Sequence, residues 1–483
     1  MTLKSFFTKI NSWNMNYRLI FIVIALFQCF TYIIFNSDFE IILNGDAKHY
    51  IGSLENLYQT GTYEYNGSLS GRMPGFLPLY SPLRLLFSQH TTLVIMIFIQ
   101  LIIYSYAVVF FVQKISKALN WNNITLLLVI ILLGFTNYVS IWGNVFYTES
   151  LAVSCLLIGL GRILSFQKTK NHKELIYAGI FFTWLIFLRP FMTIFIFTIL
   201  IYLWVNYKKN ILQILIYLAI PFILIESIWV IRNYNQEGKF IPAQGTIYAG
   251  NEPPKSFFMY RKMIACFGGD ATDWNPNSEG MWFQTDEYIE ENGFSRPSID
   301  IFPDRIFHKE FTKDSLIALR GEFWKTKRKH FDTEEMIKNE NVFNNSAERF
   351  ISSYKSNHPF DYYIGSKFTL LYKFLRQPFT YYLSMDGNYP FVQLIFKTLI
   401  YVINAFIIIF GAICVLANTF YTFSNTTKSF KVLILGIPYL IFCIFPIALG
   451  ITEYRFLVMA IPIFVILVAI TSQIVEFKKS SYD

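Results

Sequence analysis

Charged side chains are scarce in this chain. Asp, Glu, Lys and Arg make up 15% of its 483 residues, whereas soluble domains average about 25%. Hydrophobic residues reach 54%, with 51 Phe and 31 Tyr among them, and the mean hydropathy is +0.40. Runs of about 20 apolar residues recur, the length that a hydrocarbon core about 30 Å thick requires. The composition therefore excludes an ordinary soluble domain and predicts an α-helical polytopic membrane protein.

Cysteine and histidine are also sparse, and neither shows a ligand pattern. Four of the 5 cysteines lie in apolar runs, and Cys266 stands alone in a polar region. This excludes a disulfide framework or a Cys-based zinc site there. The 6 histidines are scattered without metal-ligand spacing. The net charge of +9 arises partly from basic short loops, so it does not indicate a nucleic-acid partner.

The sequence predicts about ten membrane spans. The signal is weakest for the fifth and sixth, which Arg189-Pro190 separates. Pro190 cannot donate a backbone hydrogen bond and Arg189 would be costly inside lipid, so we expect a tight turn at the membrane face. The predicted spans are residues 18–36, 91–112, 122–142, 146–165, 174–188, 190–206, 211–231, 390–418, 431–450 and 454–475.

Basic residues in the short loops predict the orientation. The N-terminal segment, up to the first residue of the first span, holds Lys4, Lys9 and Arg18 and no acid, and every second loop after it is basic. The positive-inside rule then places both termini in the cytoplasm of a multi-pass cell-membrane protein. The first span is long and lacks a cleavage site, so we expect it to remain as an anchor. On this topology seven charged residues fall on or near the extracytoplasmic face: Asp46, Arg72, Glu149, Arg189, Arg232, Glu453 and Arg455.

Three regions follow from the span pattern. Residues 1–231 hold seven spans and a first outer loop at 37–90. Residues 232–389 are polar and too long for a linker. They predict a small, mostly helical extracytoplasmic domain. Residues 390–483 hold the last three spans.

The first outer loop is the most informative segment. Asp46 precedes apolar residues at helical spacing from Ala47 to Gln59, and the sequence RMPGF begins at Arg72. Asp46 suits the N-cap of an amphipathic helix, and Gly61 suits its end. A carboxylate and a guanidinium joined by an interfacial helix indicate chemistry on a lipid-borne anionic substrate. The alternative is that Asp46 only caps the helix and the helix only anchors the loop.

An acid after the first span, followed by an amphipathic helix and Arg-x-Pro-Gly, resembles the GT-C glycosyltransferases. The likeness is greatest to glycosyltransferase family 39, with its protein O-mannosyltransferases and lipid A aminoarabinose transferases. It covers most of residues 1–245 and the final spans, and it implies a GT-C fold with 1–231 as the catalytic membrane module. The matching segments are Thr148-Glu149-Ser150, Leu188-Arg189-Pro190, residues 229–234 and 238–242, and residues 453–456 with Pro462.

The resemblance implies an inverting transfer of sugar from a polyprenyl-phosphate donor, with Asp46 as the catalytic base. An acceptor hydroxyl is a poor nucleophile until a carboxylate takes its proton. The departing phosphate needs cations and dipoles rather than a proton donor. The candidates for binding the donor phosphate are Arg72, Arg189, Arg232, Arg455 and Lys48, with Arg189 and Arg455 favoured by their family positions. The candidates for acceptor-binding or supporting groups are Glu149, Glu226, Glu453 and His49.

The implied partners are a polyprenyl-phosphate-linked sugar donor, a lipid, glycan or protein acceptor, and the membrane. No cofactor is assigned. The residues show no metal-ligand set, while the resemblance is compatible with a divalent metal.

Structural roles are the alternative for these charged residues. Arg189 would then extend from a span end to the interface, and Arg72 would anchor the Pro-Gly turn. Arg455 would pair with Glu453. Glu149 would be a favourable negative charge at the start of a helix. Glu226 would be a solvated or paired residue near the outer rim of its span.

Two other classes of function compete with a glycosyltransferase. An O-antigen-type polymerase or ligase also has many spans and one large outer loop, but that class does not explain an acid directly after the first span. A transporter or flippase usually shows paired halves and polar, broken helices at mid-membrane. Here the mid-span positions are mostly apolar and no internal repeat occurs.

Overall fold

The computed structural model shows a chain built from helices. It describes residues 14–41, 43, 46–65, 69, 72–243, 255–272, 275–291, 293–308, 311–327, 333–376, 383, 389–420 and 430–480. No β-strand forms within those residues, which confirms the α-helical class. Among the described residues, six helical stretches are long and apolar enough to cross a membrane, which is consistent with a polytopic membrane protein. They are Tyr17–Phe35, Gln89–Leu119, Glu149–Thr169, Pro190–Glu237, Pro390–Phe420 and Phe430–Ala448.

The α-helices follow one another with short connections in the first half of the chain. In chain order they are α1 (Tyr17–Phe35), α2 (Asp46–Thr60), α3 (Leu77–Arg84), α4 (Gln89–Leu119), α5 (Asn123–Gly134), α6 (Ile141–Asn144), α7 (Glu149–Thr169), α8 (Lys173–Leu188), α9 (Thr193–Tyr207), α10 (Ile211–Glu237), α11 (Lys255–Cys266), α12 (Glu279–Trp282), α13 (Asp286–Glu291), α14 (Lys313–Lys325), α15 (Thr333–Asn357), α16 (Ser366–Leu375), α17 (Pro390–Phe420), α18 (Phe430–Phe442) and α19 (Ile461–Ser480).

The chain divides into two compact units. The first comprises Met1–Asn251, Phe379–Pro438 and Val458–Asp483, and the second comprises Glu252–Pro378 with Tyr439–Leu457. The second unit therefore contains most of the predicted outer domain, and also the last residues of α18 with part of the chain that leads to α19. Its boundary follows packing, whereas the predicted boundary at 232–389 followed the change in composition.

Aromatic side chains form the core of the second unit. The rings of Tyr260 and Phe323 stack at 4.6 Å, and Trp282 meets Phe302 edge to face at 5.1 Å. All four are at most 2% exposed. Each large aromatic side chain buries on the order of 150–250 Å², so this unit has a hydrophobic core of its own.

Most predicted spans coincide with helices, but the third, 122–142, does not. α5 ends at Gly134, and an irregular buried segment leads to α6. Gln28 of α1 holds this segment, because its Nε2 donates to the carbonyls of Gly134 and Thr136 at 2.8 and 2.7 Å. Its Oε1 accepts from Ser140 Oγ at 2.6 Å. Backbone groups freed from a helix in an apolar environment need such partners, and the apolar composition of 122–142 does not reveal them.

The amphipathic helix of the first outer loop forms where the sequence predicts it. α2 covers Asp46–Thr60, and four residues of its predicted apolar face are buried: Ala47, Tyr50, Ile51 and Leu54. The chain leaves the helix at Gly61, whose φ of +77° is a left-handed conformation and whose N–H donates to the carbonyl of Leu57 at 3.0 Å. Glycine adopts this conformation without a Cβ clash. The helix therefore ends as the sequence indicates.

Candidate active site

Asp46 and Arg72 form an ion pair in the first outer loop. Arg72 Nη2 lies 2.5 Å from Asp46 Oδ1, and the two side chains are 12% and 21% exposed respectively. Tyr50, one turn along α2, supports the guanidinium. Its hydroxyl accepts from Arg72 Nη1 at 3.4 Å, and its ring centroid lies 5.0 Å from Arg72 Cζ. The two residues that the sequence predicts as base and phosphate ligand are thus brought together.

A second ion pair fixes α2 against α3. Arg84 Nε lies 2.7 Å from Glu55 Oε1, and the Tyr80 hydroxyl donates to the same carboxylate. Burial, and the bond to Glu55, raise the pKa of Tyr80. The helical pattern places Glu55 on the solvent face of α2, so sequence reasoning missed this pair. The sequence indicated this pair only through the presence of an acid and a base in the same outer loop. In the structure the pair holds α2, the helix that carries Asp46.

The Pro-Gly turn after Arg72 rests on the end of α8. Trp184 Nε1 donates to the Gly75 carbonyl at 2.8 Å. A Cβ at Gly75 would lie 2.7 Å from the Phe187 carbonyl oxygen and 2.8 Å from Leu188 Cα, so only glycine fits this approach. The Tyr50 hydroxyl also reaches the Leu188 carbonyl at 3.5 Å. The loop is therefore seated directly beside Arg189.

Arg189 and Glu149 form an ion pair inside the first unit. Arg189 Nη2 contacts Glu149 Oε1, and the two residues are 5% and 1% exposed. Arg189 follows the last residue of α8, and Glu149 opens α7, so the pair joins two helix ends. Removing one partner of a buried pair leaves an uncompensated charge and costs about 3–5 kcal/mol. Arg189 therefore has a buried structural partner. This differs from the structural alternative considered above, in which Arg189 extends from the span end to the interface.

Arg232 binds the chain that leads from α2 to Arg72. Its guanidinium donates to the carbonyls of Tyr63 and Leu69, and to Asn233 Oδ1 at 2.8 Å. Its Cζ lies 5.0 Å from the Trp229 ring centroid. These contacts occupy a large part of the donor capacity of the guanidinium. Arg232 therefore holds the loop in place in this structure.

Glu226 tethers the chain that follows α10. Its Oε1 accepts from the Ala243 N–H at 2.5 Å, and Trp229 Nε1 donates to the Ala243 carbonyl at 2.6 Å. Glu226 is 8% exposed. Glu226 thus lies in the second half of α10 and binds the backbone of the chain that follows this helix, in line with the alternative of a solvated or paired residue.

Arg455 and Glu453 pair with each other in the second unit. Arg455 Nε lies 2.5 Å from Glu453 Oε1, and the side chains are 11% and 9% exposed. The sequence raised this pairing as the structural alternative to a phosphate-binding role. Arg455 lies within the 3-10 turn at Tyr454–Met459, and Glu453 directly precedes it.

Lys48 and His49 follow Asp46 in the first turn of α2, and their environments differ. The His49 ring is half-buried against Tyr65, with centroids 4.9 Å apart. Burial lowers the pKa of His49, the nearby Arg72 charge lowers it further, and Asp46 opposes the shift. The ring is therefore neutral at pH 7. Lys48 is exposed and remains available to an anionic ligand at the loop surface.

Possible metal ligands do not converge in the part of the chain that the structure describes. No group of three or more His, Cys, Asp or Glu side chains there could hold a metal ion. Asp270 illustrates the reason. Its carboxylate accepts hydrogen bonds from the Thr272 N–H at 3.0 Å, from the Thr272 hydroxyl at 2.8 Å and from Asn275 at 3.2 Å.

Comparison with known proteins gives no further constraint. No protein-family model, no curated protein and no solved structure matches this chain. The site in the first unit is therefore interpreted from its own residues. It offers one carboxylate and one guanidinium in contact, a neutral imidazole beside them, and an exposed lysine.

Proposed function

We propose that this chain is an integral membrane inverting glycosyltransferase. It would move a sugar from a polyprenyl-phosphate donor to an acceptor hydroxyl on the extracytoplasmic face. The contact between Asp46 and Arg72 is the observation that carries the proposal. A base for the acceptor and a cation for the leaving phosphate are the two groups that this reaction needs, and here they are 2.5 Å apart.

The reaction assigns one task to each group. The acceptor oxygen attacks the anomeric carbon, and its proton passes to the Asp46 carboxylate. The bond between the anomeric carbon and the phosphate oxygen breaks, and both bonding electrons leave with the phosphate. Arg72 binds the phosphate oxygens and stabilises the negative charge that builds on them. Attack opposite the departing phosphate inverts the anomeric centre.

The other arginines serve this site indirectly in the proposal. Arg189 is held by Glu149 and supports the end of α8 on which the Arg72 turn rests. Arg232 fixes the chain between α2 and Arg72. Lys48 lies two residues after Asp46 and is exposed, so it is a further cation that can approach the phosphate.

The donor class follows from the chemistry and from the setting. A guanidinium at the membrane face suits a lipid phosphate, and bidentate contact is the geometry that Arg favours. The acceptor is a hydroxyl on a lipid, a glycan or a protein. A divalent metal remains compatible with the GT-C resemblance, but the reaction above uses none.

Radiolabelled sugar transfer tests the proposal. The full chain is reconstituted in liposomes with purified undecaprenyl-phosphate sugars and a membrane extract as the acceptor source. We expect label to move from the donor to a more slowly migrating product. If none of the sugar donors is consumed with any of the extracts, the proposal is contradicted.

A transporter is the second candidate, and one observation favours it. Polar side chains are buried in the apolar helices of the first unit, among them Gln28, Gln100 and Asn404. The irregular segment after α5 also interrupts a predicted span, as broken helices do in transporters. Movement of intact lipid-linked sugar across liposomes, without transfer of the label, would favour this candidate.

A further inference from the structure

Three polar side chains lie in the interior of the first unit, next to the Glu149–Arg189 pair. Gln100 belongs to α4, while Thr148 and Ser150 flank Glu149 in the chain, and all three are 0% exposed. Within the part of the chain that the structure describes, four of their atoms have no hydrogen-bond partner. They are both amide atoms of Gln100 and the two hydroxyl oxygens. We call this set the amide–hydroxyl cluster.

Gly143 shows that the amide and one hydroxyl face the same point. A Cβ built at Gly143 of α6 would lie 3.8 Å from Gln100 Cδ and 3.7 Å from Ser150 Oγ. Two helices, α4 and α7, thus present polar groups to one position where the glycine contributes no side chain. Thr148 lies two residues before Ser150, at the start of the same helix.

Two buried serines on the same two helices have satisfied hydroxyls, whereas Thr92 Oγ1 of α4 and Ser165 Oγ of α7 have no partner among the described residues. Ser105 Oγ of α4 donates to the Leu101 carbonyl, and Ser154 Oγ of α7 donates to the Ser150 carbonyl, each at 2.8 Å. Ser150 stands in the first turn of α7, so the residue four positions earlier, Phe146, is outside the helix and has a φ of +57°. The helix therefore offers Ser150 no equivalent carbonyl.

Energetics indicate that the amide–hydroxyl cluster has a ligand. A buried donor or acceptor without a partner costs about 1–3 kcal/mol, and native proteins leave few such groups. Three of the four, both amide atoms of Gln100 and Ser150 Oγ, belong to side chains that meet at the position next to Gly143. The irregular backbone between α5 and α7 fits the same view, since such backbone at membrane depth occurs where it is buried in protein or lines a polar cavity.

The chemistry of the cluster defines the ligand class. An amide and two hydroxyls both donate and accept hydrogen bonds, and they carry no charge. Glu149 and Arg189 neutralise each other beside them. Arg189, the cation beside the cluster, is already paired with Glu149, which disfavours a phosphate or a carboxylate as the ligand. A sugar hydroxyl both donates and accepts hydrogen bonds and matches the cluster.

We propose that Gln100, Thr148 and Ser150 bind hydroxyl groups of the donor's sugar. This inference rests on the proposed function, because it takes the donor to be a sugar on a lipid phosphate. The two parts of the site adjoin through α8. Arg72 contacts Tyr50, the Tyr50 hydroxyl reaches the Leu188 carbonyl, and Leu188 precedes the arginine that pairs with Glu149.

Lipid binding by the full chain in nanodiscs tests the inference without relying on turnover. Native mass spectrometry would compare undecaprenyl phosphate with its glucosyl, mannosyl and arabinosyl forms. We expect the wild type to prefer at least one sugar-bearing lipid over the bare lipid. Ser150→Ala and Gln100→Leu should each lower that preference roughly 2- to 10-fold, the effect of losing one neutral hydrogen bond.

Two further variants separate recognition from packing. Ser154→Ala is the matched control, because it makes the same change one turn along α7 where the hydroxyl is already satisfied, and it should keep the preference. Gly143→Ala adds a methyl group at the shared point, 3.4 Å from Gln100 Cβ, and should lower the preference without removing a polar group. Ser150→Ala should unfold at no lower temperature than the wild type, since the lost hydroxyl has no partner among the residues that the structure describes.

The outcomes distinguish this inference from the proposed function. Absence of binding even to bare undecaprenyl phosphate would contradict the proposed function. Binding of the bare lipid with no preference for any sugar form would overturn the inference alone. A preference that survives in Ser150→Ala, Gln100→Leu and Gly143→Ala would overturn it as well.

Discussion

Arg72 donates a hydrogen bond to Asp46 at 2.5 Å although 26 residues separate them in the chain. Their loop is fixed at several points, by the Glu55–Arg84 pair on one side and by Gly75 against the end of α8 on the other. One carboxylate oxygen of Asp46 is thus occupied by the guanidinium. In our account the donor phosphate competes for that guanidinium, so donor binding also frees the base.

Replacing Arg72 should affect both donor binding and chemistry. Arg72→Ala should raise the donor KM and lower kcat, with kcat/KM falling roughly 10- to 100-fold, because a hydrogen bond to a charged group contributes about 1.5–3 kcal/mol. Arg72→Lys should be intermediate, since it keeps the charge but loses the bidentate fork. Arg84→Ala is the control in the same loop, because Arg84 pairs with Glu55 and not with Asp46. It should lower stability and should reduce kcat/KM per folded molecule less than Arg72→Ala does. Unchanged donor kinetics in Arg72→Ala would contradict the phosphate-binding role.

The Glu149–Arg189 pair should behave as a structural unit. Glu149→Ala or Arg189→Ala alone should destabilise the protein by about 3–5 kcal/mol, whereas a double change to Leu and Met should recover much of that loss. Thermal unfolding in detergent measures this.

The partly exposed pair Arg162–Glu174, at 3.2 Å, is the control for this comparison, and its disruption should cost under about 1 kcal/mol. If Arg189→Ala instead kept its stability and lost donor affinity, Arg189 would be the direct phosphate ligand that the family resemblance implies.

His49 should make stability depend on pH. Burial holds its folded pKa below the ordinary value of 6.5. As the pH falls through 6.5 towards the folded pKa, the unfolded chain takes up a proton before the native protein does, so stability is present above this window and is lost below it. The unfolding temperature should therefore drop more between pH 7.5 and 5.5 in the wild type than in His49→Gln. An equal drop in both proteins would contradict this assignment.

The orientation of the chain can be checked with reporter fusions. Fusions after Asn120, Gln167 and Asp483 should report a cytoplasmic location, because basic residues mark those loops. A fusion near Asn277 should report an extracytoplasmic location. A cytoplasmic signal at Asn277 would overturn the topology and with it the lipid-linked donor.

Local features of the fold could be predicted from the sequence. The 3.6-residue spacing of apolar residues gave α2 to within one residue at each end, and Gly61 marked its stop. The turn at Arg189-Pro190 was also expected, and the structure has α8 end at Leu188 there. These features depend on residues within one or two turns of each other.

Partners distant in the chain could not be predicted. Arg232 binds carbonyls 163 and 169 residues away, and Gln28 binds carbonyls more than 100 residues away. Every residue has a backbone carbonyl, so nothing in the sequence indicates which carbonyl will accept a hydrogen bond from a given guanidinium or amide. The same limit explains why the third span was predicted to be longer than α5.

Sugar transfer by Asp46→Asn tests the central claim most directly. The amide keeps the size of the side chain but cannot take the acceptor's proton, so initial rates per folded molecule should fall about 10²- to 10⁴-fold. Asp38→Asn, which alters an exposed carboxylate in the same loop, is the matched control and should keep the wild-type rate. Binding of undecaprenyl phosphate should persist in both variants. An Asp46→Asn protein that retains more than about half of the wild-type rate would contradict the account.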